Sequence, residues 1–322
     1  MATRHQIMRG LLITLAAIAA SGCATTSSLP ATESIAELAD VAFFPQTEYD
    51  CGPAALATVL TSTGVETTPD ALVEQVYVAG LKGSLQAELM AATRRAGRVP
   101  VALDQSFDRL LDEVASGRPV LVLLNLGLKR MPVWHYAVVV GYDADANRVI
   151  LRSGDEPRRR ERLRRFLRQW QLADQWAFVA ARPGEIPVTA APESYVRALV
   201  DAEPQLSGRA MALAYDALLA RWPENSLAMF AAANHEFAGA DLVRATDLYR
   251  RVLAQEPTHV AARNNLALVL LERGCRNDAL REAQLALADS RIEPFRAEIA
   301  DTLTQIERAA VQATSGGVCS DS

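Results

Sequence analysis

The spacing of apolar and polar positions changes character along this chain. Residues 54–60 are apolar on every side, the mark of a helix buried all round. Helical spacing returns over 69–77, 85–96 and 107–116. Residues 99–103, 119–126 and 176–181 are instead short apolar runs of the kind found in buried strands. Residues 134–142 and 148–155 flank the polar, turn-rich stretch 143–147 and predict a β-hairpin. Helices followed by an antiparallel sheet make an α+β domain.

Past a Pro/Gly/Ala-rich stretch at 183–192 the pattern becomes wholly helical and repeats every 34 residues. Pro223 recurs as Pro257, Tyr215 as Tyr249 and Ala283, Leu219 as Leu253 and Leu287, and Ala245 as Ala279. That period resembles the tetratricopeptide repeat over 226–257 and 260–289, with a half-repeat before Pro223 and a capping helix over 292–310. The resemblance implies a concave surface for a protein partner, with Asn234, Asn264 and Asn265 as candidate peptide contacts.

The chemistry sits in the first domain. Cys51 follows Asp50, a good N-cap residue, and opens the apolar helix, with Pro53 tolerable in the first turn. A thiol at the positive end of a helix dipole is expected to have a depressed pKa and to act as a nucleophile. Gly52 lets a substrate approach the backbone, and Gln46 is placed to supply an amide donor beside the Cys51 N–H for an oxyanion. A cysteine nucleophile needs a base and a group that orients it. A hairpin turn centred on Asp145 sets His135 directly opposite Asp155 on one face of the sheet, within imidazole–carboxylate reach. Trp134, beside His135, is a candidate wall of a substrate subsite.

The order Gln46, Cys51-Gly52-Pro53-Ala54-Ala55, His135-Tyr136-Ala137-Val138-Val139-Val140-Gly141-Tyr142-Asp143 and Asp155 resembles the papain-like bacteriocin-processing cysteine peptidases, which cleave leader peptides after a double glycine. The resemblance spans about residues 41–183 and implies Cys51 as nucleophile, His135 as general base, Asp155 as orienting acid and Gln46 as oxyanion donor. Many relatives of this kind are fused to a transporter. Here no phosphate-binding Gly-x-x-x-x-Gly-Lys-Ser/Thr loop occurs, which points to the stand-alone branch. The same triad serves an amidase or acyltransferase equally well, and the fold also serves an inactive binding scaffold.

Arg4, His5 and Arg9 precede the apolar residues 11–20, too short for a membrane span and right for a signal-peptide core. Ala20-Ser21-Gly22-Cys23 resembles a bacterial lipoprotein cleavage box with lipid added at Cys23; Ala24 after it favours the outer membrane. The expected organisation is a signal peptide (1–22), tether (23–40), papain-like peptidase domain (41–183), linker (184–195), tetratricopeptide-repeat domain (196–312) and tail (313–322). The location expected is the periplasmic face of the outer membrane, with a peptide or protein as substrate.

Composition adds exclusions. Half of the residues are apolar, enough for sizeable cores, and a net charge of -5 gives no reason to expect nucleic acid. Cys275 and Cys319, left after Cys23 and Cys51, make no disulfide framework, and no essential bridge is expected. His5, His135, His235 and His259 are too scattered for a metal site, and no cofactor is expected. Between Arg152 and Arg168 lie eight arginines, read as a solvated helix face.

Overall fold

The computed structural model describes residues 35–46, 50–289 and 293–312. A seven-stranded antiparallel sheet forms the centre of the first half. Its strands are β1 (Ile35–Glu37), β4 (Val99–Ala102), β5 (Val120–Asn125), β6 (Trp134–Asp143), β7 (Arg148–Ser153), β8 (Glu156–Arg162) and β9 (Ala177–Ala181), while β2 (Tyr77–Val78) and β3 (Gly83–Ser84) form a separate ribbon. The order is β4-β9-β5-β6-β7-β8, with β1 paired to the Gly141–Asp143 end of β6.

Both faces of this sheet are covered, which is why its inner strands read as unbroken apolar runs rather than alternations. Helix α1 (Cys51–Ser62) lies across β6 and packs Leu56 and Leu60 on Leu121, Tyr136, Val138, Val140 and Phe178. Around it, α2 (Pro69–Val76) and α3 (Gln86–Arg95) add Leu72, Val76 and Leu89. On the other face, α4 (Phe107–Ala115) and α5 (Leu163–Gln171) bring Leu110, Val114, Phe166 and Trp170 onto Val122, Val139 and Leu151. The expected helices, apolar strands and hairpin are all present.

The arginine run departs from expectation. Arg152 belongs to β7, residues 156–162 form the edge strand β8, and only from Leu163 does the chain become helical. A row of charged side chains along an exposed edge prevents the sheet from recruiting further strands. Arg158 adds a two-pronged pair with Glu37 of β1, both contacts 2.6 Å long.

Seven longer helices follow: α6 (Pro192–Ala202), α7 (Gly208–Arg221), α8 (Ser226–Ala238), α9 (Leu242–Gln255), α10 (Val260–Glu272), α11 (Arg276–Leu287) and α12 (Arg296–Gln312). The pairs α8/α9 and α10/α11 begin 34 residues apart at each helix, matching the repeat read from the sequence. Side chains of Asn225, Asp241 and His259 cap α8, α9 and α10 by accepting from their third N–H groups. The recurring positions Tyr215, Tyr249, Ala245, Ala279 and Ala283 are all buried between helices. Cys275, for which no essential bridge was expected, is disulfide-bonded.

The segment expected as a linker is firmly held. Thr189 donates through both its N–H and hydroxyl to Glu113 Oε1 of α4, each at 2.7 Å, and Arg109 donates to the Thr189 carbonyl at 2.6 Å. Helix α6 then packs on β4, and its Tyr195, Val196 and Leu199 join the core on that face of the sheet. Sheet and repeats therefore share one continuous apolar core.

Candidate active site

Cys51 is the first residue of α1, as its sequence context predicted, and Asp50 occupies the N-cap without a side-chain cap bond. Its electrostatics differ from the expectation. Burial pushes the Cys51 thiol up, outweighing the N–H groups of Tyr136, Gly52 and Cys51 itself, which favour the thiolate. The thiol is thus the resting form, and the three N–H groups are poised for the charge that appears once the proton leaves.

One of those donors is free because of a break in the sheet. Strand β6 pairs with β7 from Asp143↔Arg148 as far as Val138↔Arg152, with an irregularity between Val139 and Gly141. Past Val138 the ladder stops, since β7 ends at Ser153 and the chain turns back into β8. In the gap, Tyr136 turns its N–H to Cys51 and its carbonyl to Gln46 Nε2, 3.4 Å away. Gln46 also accepts from the Gly154 N–H at 2.8 Å and donates its own N–H to the Gly154 carbonyl at 2.9 Å. Its side chain thus ties the loop before α1 to the β7–β8 turn.

The predicted partnership of His135 with Asp155 requires correction. Asp155 lies in the β7–β8 turn, exposed and out of the ladder, because Ser153 already pairs with Glu156 of the returning strand. The imidazole meets Ser153 instead, with Nε2 2.8 Å from Oγ. Ser153 is 2% exposed and shares the sheet face of Val149 and Leu151. A polar residue in phase with buried apolar ones was the available signal for this role, and the sequence reading missed it. Burial, aided by the positive charge of Arg159, pushes His135 down to about 4. A neutral thiol beside a strand bearing a neutral imidazole is the resting state.

This shift has a stability consequence. Between pH 4 and pH 6.5 the unfolded chain binds a proton at His135 that the folded chain refuses. Stability is therefore complete above the ordinary value and falls as pH drops towards the folded one, by at most about 3 kcal/mol. Denaturant unfolding at both ends of the window is expected to show a smaller pH effect in His135→Gln than in the wild type. Equal effects in the two proteins would mean that His135 titrates normally.

The cleft beside Cys51 has a volume of about 610 Å³ and is lined by Ser84, Leu85, Leu123, Trp134 and Tyr136 among others. Gly52 is required here by packing rather than by substrate approach alone: a Cβ at this position would lie 2.3 Å from Ser84 Oγ. The missing side chain lets Ser84 of the β2–β3 ribbon sit against the start of α1, and the Tyr136 hydroxyl donates to the Ser84 carbonyl at 3.1 Å. Trp134 lines the cleft while remaining 53% exposed. Among the described residues no group of three His, Cys, Asp or Glu could hold a metal ion.

A cysteine-headed helix laid on an antiparallel sheet that carries a histidine strand defines the papain-like α+β class. Within it, residues 38–177 match the family model described as the Peptidase_C39 like family. Several solved structures are similar to this part. A C39-like peptidase from Bacillus anthracis is 16% identical, covering 47% of this chain and 98% of its own, with a TM-score of 0.40. The peptidase domain of Streptococcus ComA, a bi-functional ABC transporter involved in a quorum-sensing pathway, is 25% identical over 44% of this chain and 98% of its own (TM-score 0.36). A double glycine motif protease from an AMS/PCAT transporter, solved in complex with the leader peptide, is 18% identical over 44% of this chain and 91% of its own (TM-score 0.34). No curated protein matches the chain.

Proposed function

We propose that the chain is a cysteine peptidase in which Cys51 attacks a peptide carbonyl and His135 moves the proton. The observation that carries this reading is the place of Cys51, at the first turn of a buried helix and lining the cleft beside Trp134 and Tyr136 of the strand that presents His135. Neutral His135 accepts the thiol proton as Cys51 Sγ bonds to the carbonyl carbon, and the oxyanion forms near the helix N-terminus. The C–N bond then breaks, His135 returns the proton to the leaving amine, and water resolves the thioester. Ser153 holds the imidazole in place of a carboxylate. Gln46 acts mainly by fixing the β7–β8 turn.

The helical pairs are proposed to be tetratricopeptide repeats that recruit a protein partner or substrate, raising its local concentration at the cleft. Cys23 and the segment expected as signal peptide lie outside the described residues, as does the expected tether up to residue 34. The last part of that tether, residues 35–40, instead opens with strand β1, which pairs with β6. The proposed setting remains a lipid anchor at the periplasmic face of the outer membrane. The test is mass spectrometry of the protein after incubation with activated peptide esters. A peptidase is expected to carry an acyl group on Cys51 that is lost to water; transfer to an added amine in preference to water would identify an acyltransferase. No acylation of Cys51 with any ester would defeat both readings.

A further inference from the structure

Between β5 and β6 the chain forms a finger that extends past the neighbouring strands. Leu126 and Val133 continue the pairing with an N–H···O bond of 2.8 Å, and Leu128 and Met131 exchange bonds of 3.1 and 3.0 Å around the two-residue tip Lys129-Arg130. The finger is built rather than loose. At its base the buried Asn125 side chain accepts from the N–H groups of Gly127 and Val133 at 2.9 and 3.0 Å. Gly127 is the only residue type that fits there, since a Cβ would lie 2.4 Å from the Met131 carbonyl.

Its surface is unusual for a chain of this charge. Leu128, Met131 and Val133 are 60%, 73% and 56% exposed. Lys129 and Arg130 sit between them, and residues 126–134 contain no acidic side chain. Across the cleft mouth, Leu81 and Leu85 are exposed as well, next to Lys82, the only other lysine in the sequence.

We infer that this finger docks the protein on the surface of an anionic lipid bilayer, with the cleft mouth turned towards the membrane. A site that receives an apolar peptide is concave and shelters its side chains. Here the apolar groups stand outward on a projecting ribbon, the shape that enters a soft medium. Leucine and methionine enter the acyl boundary, an aromatic such as Trp134 lies at headgroup level, and basic side chains snorkel to lipid phosphates. The basic residues make the attraction selective for anionic lipid and sensitive to salt. The chain's geometry also permits it. Strand β1 joins β6 at the end opposite Trp134, about 30 Å away along a ten-residue strand. The twelve residues from Cys23 to Ile35 can span about 40 Å, so an anchor at Cys23 and the finger can reach one bilayer. The inference does not depend on what Cys51 catalyses.

The test uses the mature chain with Cys23→Ser, so that no acyl group contributes. It is mixed with vesicles of phosphatidylethanolamine and phosphatidylglycerol, or of phosphatidylcholine alone. Co-sedimentation and a blue shift in tryptophan emission are expected on the anionic vesicles and should weaken with added salt. Leu128→Glu with Met131→Glu should lower partitioning at least tenfold, and Lys129→Glu with Arg130→Glu about tenfold with loss of the salt effect. Alkylation of Cys51 by a small reagent should be unchanged in both. If the first variant does not fold, the exposed tip pair carries the test. Absence of wild-type binding, or equal binding by a folded variant, overturns the proposal. So does a finding that the substitutions only dissociate a dimer, or only raise KM for a soluble peptide.

Discussion

Cys51→Ala is expected to abolish acylation and to lower peptide hydrolysis by about 10⁴-fold or more, with the fold intact. The side chain is small and only partly buried, so its removal leaves little cavity. What disappears is the nucleophile, and no second free thiol exists among the described residues to take its place. The N–H groups of Gly52 and Tyr136 remain, so a residual rate above that of water is the expected floor. Steady-state hydrolysis with a circular-dichroism check on folding tests this. Retention of most of the activity would place the reaction elsewhere in the chain.

The second large effect belongs to Ser153. A hydroxyl orients the imidazole but does little to stabilise its cation, whereas a carboxylate does both. Ser153→Ala is expected to reduce kcat/KM about tenfold through loss of the Nε2 contact. Ser153→Asp should raise the His135 pKa from about 4 by one to three units and increase the rate near neutrality about tenfold. Histidine titration by NMR alongside the pH–rate profile separates this role from simple packing. If both variants keep the wild-type titration and rate, Ser153 does not position the base.

Much of the fold was legible because its signals are local. Residues 54–60 have no polar face, and α1 is accordingly covered on all sides. The 34-residue period survived because each helix pair must bury the same faces against the next. The failures were of another kind. His135 and Asp155 were matched by counting from a turn, but a strand must continue for counting to work, and β7 stops two residues early. The thiol was judged from its helix, whereas burial under the sheet and ribbon sets its proton affinity. Strand β8 was hidden because charged side chains on successive positions erase the alternation by which strands are recognised. Ser153 was visible in principle, as one hydroxyl in a row of aliphatic side chains.

Helix α6, seated on β4, gives the chain a property that neither half would have alone. Since Tyr195 and Leu199 complete the face of the sheet, the helices cannot detach without exposing the strands beneath them. Any molecule that binds the folded helices and not the unfolded chain then adds its binding free energy to the stability of the thiol-bearing half, in proportion to the logarithm of its concentration. Occupancy at one end of the molecule becomes resistance to unfolding at the other, with no movement of either.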